Sequence, residues 1–222
     1  LEKNIKSNVN NYGVGNYGLD QSYLKYKKYK NTLKSKIIIF NVVPETIARI
    51  HSYWKHYREF GNIMGFKPIY LFNKDKLNLN KILIKKYYSQ KEIFRTFKKI
   101  KKIDLFYGAK FKKEKFNFPY TFVFLRNFKK YSIIIISLIL YKLSNNKNFY
   151  DSAVSQILIS NIRESHQMYN DINYASKLRL LIINMNKEIK KDRKKMILII
   201  SPQLLDFKSK YFKNSINFFS NL

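Results

Sequence analysis

Residues 11–21 read Asn-Tyr-Gly-Val-Gly-Asn-Tyr-Gly-Leu-Asp-Gln and hold three of the chain's six glycines. Glycine adopts positive φ freely and leaves space where a side chain would lie, so this density indicates a sharp turn that closely approaches another group. The residues that follow, 22–29, have a partial apolar face at Tyr23, Leu24 and Tyr26 and predict a helix. A glycine-rich turn before a helix directs backbone N–H groups into a crevice. A tight turn without a ligand gives the same pattern, so the spacing alone leaves both interpretations open.

The pattern Asn-x-Gly-Val-x-x-Tyr-Gly-x-Asp-Gln, followed by a helix, resembles the second sequence block of the SGNH (GDSL-like) hydrolase family. The resemblance implies a three-layer α/β/α, flavodoxin-like fold with a mostly parallel sheet. It also implies an ester hydrolase or O-acyltransferase that works through a Ser nucleophile and a His base. Asn16 takes the position whose backbone N–H enters the family's oxyanion hole, and Gly13, Gly15 and Tyr17 lie on the substrate side. The family has Gly where this chain has Asn16, and Asn tolerates the left-handed conformation better than most residues.

The third block of the family follows a strand. Residues 36–43, Lys-Ile-Ile-Ile-Phe-Asn-Val-Val, form an apolar run typical of a buried parallel strand. The run ends at Pro44, where the resemblance places an Asn as the second oxyanion donor. Glu45 or Thr46 occupies that position here, and the register does not choose between them. A second apolar run, 196–200, predicts another parallel strand of the same sheet, and we expect both strands to be buried on both faces.

Two further blocks of the family, Gly-Asp-Ser and Asp-x-x-His, do not occur in the chain. The resemblance therefore implies that residues 1–222 are a single partial SGNH-like domain, an internal fragment whose nucleophile lies upstream and whose base lies downstream. We expect this fragment alone to be inactive. Neither a cofactor nor a metal is predicted, because no second ligand stands at metal spacing from His51 or His56. These two histidines are expected at the surface or rim.

Residues 62–148 are predicted to be an insertion within this domain. Its first part, 66–80, alternates about a polar turn at 73–75 and predicts a β-hairpin. Helices are expected at 89–100 and 129–143, and outside the insertion at 47–60, 148–169 and 173–191. The apolar run 133–140 is far shorter than the ~20 residues that span a bilayer, and it indicates a buried helix or strand. Aromatic residues between 111 and 124 predict a small satellite core, with a substrate-binding wall as the alternative.

The chain carries a formal net charge of +30, from 44 basic and 14 acidic residues. Its lysines are spread along the whole sequence, and the abundant Lys, Ile, Asn, Tyr and Phe share AT-rich codons. Nucleic-acid binding is therefore not favoured, since it usually needs a localised basic face. The predicted partner is an ester-bearing small molecule or an acylated glycan, with no transmembrane segment in the chain.

Two other functions remain open at this point. A non-catalytic SGNH-like domain would keep the crevice without the chemistry, as the change at Glu45 and Thr46 suggests. A basic module would dock on an anionic glycan, membrane or nucleic acid. The absence of cysteine excludes disulfides and a thiol nucleophile and leaves the compartment open, with a bacterial cell envelope and a cytoplasm both compatible.

Overall fold

The structure is a computed structural model that describes residues 8–58, 65–73, 76–80, 90–114 and 118–222. Its α-helices are α1 Leu19–Tyr29, α2 Thr46–His51, α3 Gln90–Ile103, α4 Lys112–Glu114, α5 Tyr120–Arg126, α6 Phe128–Ser144, α7 Lys147–Met168, α8 Ile172–Lys191, α9 Leu204–Phe207 and α10 Phe212–Ser220. The strands are β1 Ile37–Val42, β2 Ile69–Asn73, β3 Lys76–Asn80 and β4 Lys195–Ile200, with a 3-10 turn at Lys55–Tyr57 and a π turn at Tyr107–Phe111. The chain is thus a mixed α/β protein.

Strands β1 and β4 pair in parallel, from Ile37 opposite Lys195 to Val42 opposite Ile200. The predicted parallel pairing of the two apolar runs is confirmed. The expectation that both faces are buried is wrong, because Ile37 and Ile39 are 51% and 48% exposed. Within the described residues this sheet has two strands, so part of its surface has no neighbouring layer. A three-layer flavodoxin-like sheet is not confirmed.

The core lies where α8 covers the parallel pair and meets α2. Helix α8 buries Leu178, Leu181, Met185 and Ile189, spaced three or four residues apart on one face, as the amphipathic pattern predicts. It packs on β4 and contacts α2, which also contacts α1 and α7. The predicted helices at 148–169 and 173–191 are confirmed as α7 and α8.

The helix predicted over residues 47–60 is shorter in the structure. Helix α2 ends at His51, and the chain turns before the 3-10 segment. The Asp104 carboxylate explains the break, since its Oδ2 accepts from the backbone N–H groups of Tyr53 and Trp54, both at 2.8 Å. These N–H groups would otherwise continue the helical ladder.

The predicted hairpin is confirmed as the antiparallel pair β2 and β3, and the helices predicted at 89–100 and 129–143 are confirmed as α3 and α6. Helix α6 packs along α7. The run 133–140 forms part of α6, but its predicted burial is wrong, since Ser137 is its one buried residue. No helix in the described part of the chain is long and apolar enough to cross a membrane.

The satellite core predicted for the aromatic residues between 111 and 124 is wrong for most of the described ones. Phe118, Tyr120 and Phe122 are exposed, whereas Phe111 packs against the core. Phe116 lies outside the described residues, as does most of the turn of the hairpin.

Candidate functional site

The glycine-rich stretch forms an exposed turn that leads into α1. Asn16 has a φ of 66°, the left-handed conformation that the sequence made plausible for Asn. Tyr17 N–H donates back to the Val14 carbonyl at 3.4 Å, and Gly18 N–H donates to the Gln21 side chain at 3.2 Å. Within the described part of the chain, the Asn16 N–H has no hydrogen-bond partner. An N–H that is exposed in this way is free for a ligand oxygen.

Gly18 lies close to Arg49 of α2. A Cβ atom built at Gly18 would lie 2.5 Å from Asp20 Oδ1 and 3.0 Å from Arg49 Cβ, so a larger residue does not fit without movement. Next to it, the buried Leu19 N–H donates to Thr46 Oγ1 at 3.1 Å. The glycine turn and the start of α2 thus lie side by side.

Helix α1 is held in place by its contacts with the C-terminal part of α8. Tyr26 Oη donates to Asp192 Oδ2 at 2.6 Å, and the Tyr23 hydroxyl donates to Glu188. Lys30 Nζ lies 3.0 Å from Glu188 Oε1. Burial is the largest cause that raises the pKa of both tyrosines, and the neighbouring carboxylates raise it further. Both side chains therefore stay neutral hydrogen-bond donors. These bonds fix the helix from which the glycine turn projects.

Glu45 and Thr46, the two candidates for the third-block donor, are both engaged in the fold. The Glu45 carboxylate accepts from Arg49 Nη2 at 2.8 Å and from Arg58 Nη2 at 2.7 Å. Burial alone raises the pKa of Glu45, but the charges of Arg58 and Arg49 outweigh it, so the pKa lies below its usual value and the group is ionised. An ionised carboxylate donates no hydrogen bond. Thr46 is 1% exposed and does not reach the surface.

Arg49 is the side chain of α2 that reaches the glycine turn. Its Nε and Nη2 donate to Glu45 Oε2, and its Nη1 donates to the Tyr17 carbonyl at 3.2 Å. A guanidinium has five N–H groups, so two of them have no partner in the described part of the chain. The sequence motif does not point to Arg49, although its position four residues after Glu45 is the spacing of a helical ion pair.

Arg49 and Asn16 line the same small cavity of about 180 Å³. Its other lining residues are Gly15, Tyr17, Gln21, Ser52, Lys55, Arg58, Gly65, Phe66 and Lys67. Lys67 also pairs with the buried Asp20. Cations and a backbone N–H therefore surround this space, and they suit a bound oxygen that carries negative charge.

A second cavity of about 420 Å³ runs along β1. Five consecutive strand residues, Ile37 to Asn41, line it together with Tyr17, Gly13 and other residues of the glycine turn and α1. Successive strand residues point to opposite faces, so a cavity that touches all five lies against the edge of the strand. This edge is the one that β4 does not occupy.

The histidines with described side chains are buried. His51, expected at the surface or rim, has no exposure and contacts the Ile47 carbonyl through Nδ1 at 2.7 Å. Burial lowers the pKa of His51 to about 3, so the ring is neutral. His166 Nε2 lies 2.9 Å from Asp206 Oδ1, and both groups are buried. This pair joins α7 to α9, and its burial keeps it away from a substrate. The side chain of His56 lies outside the described residues.

No cluster of three or more potential metal ligands occurs in the residues that the structure describes. Comparisons of the chain with protein families, with curated proteins and with solved structures found no match.

Proposed function

We propose that this chain carries the oxyanion-binding part of an SGNH-type ester hydrolase or O-acyltransferase. The observation that carries the proposal is the exposed Asn16 N–H, which has no partner in the described residues and lies on one cavity with Arg49. The nucleophile and the base belong to Gly-Asp-Ser and Asp-x-x-His segments, which residues 1–222 do not contain. The substrate is an ester-bearing small molecule or an acylated glycan.

Ester hydrolysis through a Ser nucleophile requires two hydrogen-bond donors at the carbonyl oxygen of the ester. When a Ser oxygen attacks an ester carbonyl, the carbonyl oxygen takes up the negative charge, and donors ~3 Å away stabilise it. The Asn16 N–H is the first donor in this proposal. Arg49 is the second, because Glu45 is an ionised acceptor and Thr46 is buried. A guanidinium brings a full positive charge, and charge-assisted bonds are about twice as strong as neutral ones.

The proposal includes a larger sheet of flavodoxin type, in which β1 is an inner strand. The cavity along the edge of β1 that no described strand occupies supports it, because such an edge offers backbone groups to a further strand. A strand added there would run beside the glycine turn. It would place a nucleophile at its carboxyl end, where open α/β sheets place their ligands.

A non-catalytic SGNH-like binding domain is the second candidate. It is favoured by the bonds that hold Glu45 and Thr46 inside the fold, since the family's usual third-block donor is then missing. Such a domain would bind an acyl or carboxylate group in the same cavity without catalysing a reaction.

The gene on both sides of this sequence separates the two candidates. The hydrolase proposal expects an upstream Gly-Asp-Ser and a downstream Asp-x-x-His in frame. The chain that carries both is expected to hydrolyse p-nitrophenyl acetate and to lose the activity when that Ser is replaced by Ala. Flanking sequence without either block, or a full-length chain that binds acetate but shows no turnover, supports the binding domain instead.

A further inference from the structure

The α6 helix exposes large apolar side chains along one side, with the polar Ser132 among them. Phe128, Ile135, Ile136, Ile139 and Leu143 fall within about 100° of the helix circumference at 3.6 residues per turn. All five are exposed, Ile136 by 56% and Leu143 by 79%. We call these five residues the α6 stripe. Isolated exposed apolar residues are ordinary, but a stripe along four turns of one helix marks an interaction surface.

The contact between α6 and α7 lies on the other side of the helix. Ser137 is the buried residue of α6, and its Oγ lies 3.4 Å from Ser152 Oγ of α7. Tyr141 packs against Tyr150, with ring centroids 5.5 Å apart. Both Ser137 and Tyr141 lie more than about 100° around the helix from the centre of the α6 stripe. The stripe therefore lies on the side of α6 opposite its contact with α7.

Lysines border the stripe on both sides. Lys129 and Lys142 fall just outside its two edges on the helix circumference, and both are exposed. Long lysine stems lie along apolar surface while their ammonium groups reach outward. The segment before α6 adds exposed Phe118, Phe122 and Leu125. Beyond these two lysines Leu138 and Leu140 are also exposed, so the stripe is part of a broader apolar surface with a lysine at each of its edges. Apolar side chains beside lysines suit the interface of a membrane that carries negative charge.

We propose that the α6 stripe docks on the surface of a bilayer that contains anionic phospholipid. The apolar side chains would enter the acyl boundary, and Lys129 and Lys142 would contact the phosphates. The net charge of +30 favours this occupant over a second copy of the chain, since two such copies repel each other. The proposal does not depend on the hydrolase function.

Vesicle sedimentation tests this proposal with two matched triple variants. One replaces Ile136, Ile139 and Leu143 of the stripe by Gln. The control replaces three exposed residues on other helices by Gln, Ile172, Leu204 and Ile216. Neither variant changes the net charge, and melting temperatures verify that both stay folded. The vesicles are phosphatidylcholine alone, or phosphatidylcholine with roughly one quarter phosphatidylglycerol.

The wild-type chain is expected to bind the anionic vesicles and to bind neutral ones far more weakly. The stripe variant is expected to bind at least about tenfold more weakly than wild type, because it loses apolar insertion, and the control to stay within about twofold. Equal binding by the stripe variant would show that lysines alone drive adsorption and would overturn the proposal. So would equal binding to both vesicle types. A dimer in light scattering that only the stripe variant abolishes, without vesicle binding, would assign the stripe to a second copy.

Discussion

Arg49 Nη1 donates to the backbone oxygen of Tyr17 at 3.2 Å and so joins α2 to the glycine turn. The same guanidinium forms an ion pair with Glu45, which also pairs with Arg58. One side chain therefore joins the two segments and also lines the cavity that Asn16 lines. Its dual role gives predictions for both stability and binding.

Replacement of Arg49 by Met is expected to lower the free energy of unfolding by about 3 kcal/mol, since it leaves Glu45 buried with one of its two cationic partners. Arg126→Met is the control, because Arg126 is exposed and has no ion pair in the described part of the chain. It is expected to change stability by less than about 0.5 kcal/mol. Urea unfolding measures both. Equal, small losses would show that the buried ion pair does not hold the two segments.

Gly18 and Gly15 offer a comparison within one turn. Gly18→Ala is expected to cost about 1–3 kcal/mol, because the added methyl group meets Arg49 Cβ at 3.0 Å and Asp20 Oδ1 at 2.5 Å. A Cβ at Gly15 meets nothing within 4 Å, so Gly15→Ala is expected to be nearly neutral. Thermal unfolding of both variants measures the difference. The reverse order would mean that α1 and α2 do not meet at Gly18.

The pH dependence of stability reflects two buried groups with opposite effects. Burial raises the pKa of Asp104 to about 7, above its ordinary 3.8, so the native state holds a proton that the unfolded chain releases, and stability falls as pH rises from about 4 to 7. Burial lowers the pKa of His51 to about 3, below its ordinary 6.5, so the unfolded chain binds a proton that the native state does not. Stability from His51 is therefore lost as pH falls below about 6.5.

The two slopes cancel in the wild-type chain between about pH 4.5 and 6. In Asp104→Asn only the effect of His51 is expected to remain. Relative to wild type, the free energy of unfolding of this variant should therefore increase by up to about 1.4 kcal/mol for each unit that the pH rises. His51→Phe, which keeps an aromatic ring against Phe72 and Tyr174, is expected to leave the opposite slope. Urea midpoints at several pH values measure both. Parallel profiles for the wild-type chain and both variants would show that neither group titrates abnormally.

The 222-residue chain is expected to show no hydrolysis of p-nitrophenyl acetate above background. An oxyanion hole without nucleophile and base leaves weak residual acceleration at most. Initial rates over a range of ester concentrations measure this. Saturable turnover that a single Ser substitution inside residues 1–222 removes would place the active site elsewhere in the chain.

The sequence predicts the elements whose signals are local. The apolar runs 36–43 and 196–200 predict β1 and β4, and the helical periodicity of 148–169 and 173–191 predicts α7 and α8. The exposure of Ile37 was not predictable, because an apolar run does not tell how many strands flank it. The end of α2 at His51 was missed because Asp104, which captures the next N–H groups, lies about fifty residues away in sequence.

The candidate site combines local signals with contacts that the sequence does not show. The glycine pattern points to Asn16 from residues that are adjacent in the chain, and the φ of 66° at Asn16 is one that Asn tolerates better than most residues. The family register points to Glu45 or Thr46, but it does not show that both are turned into the fold. Only the packing of α1 on α2 shows that Arg49 reaches the Tyr17 carbonyl. The buried pair of His166 and Asp206, forty residues apart, has no sequence signal.

The central claim is that Asn16 and Arg49 donate to one negatively charged oxygen. A titration of the ¹⁵N-labelled chain with methylphosphonate, whose tetrahedral anion resembles the transition state, tests it by NMR. The account predicts a saturable downfield shift of the Asn16 amide proton, with an apparent Kd at least about tenfold higher in Arg49→Met and unchanged in Arg126→Met. An Asn16 amide that does not move, while amides beside surface lysines do, would contradict the account.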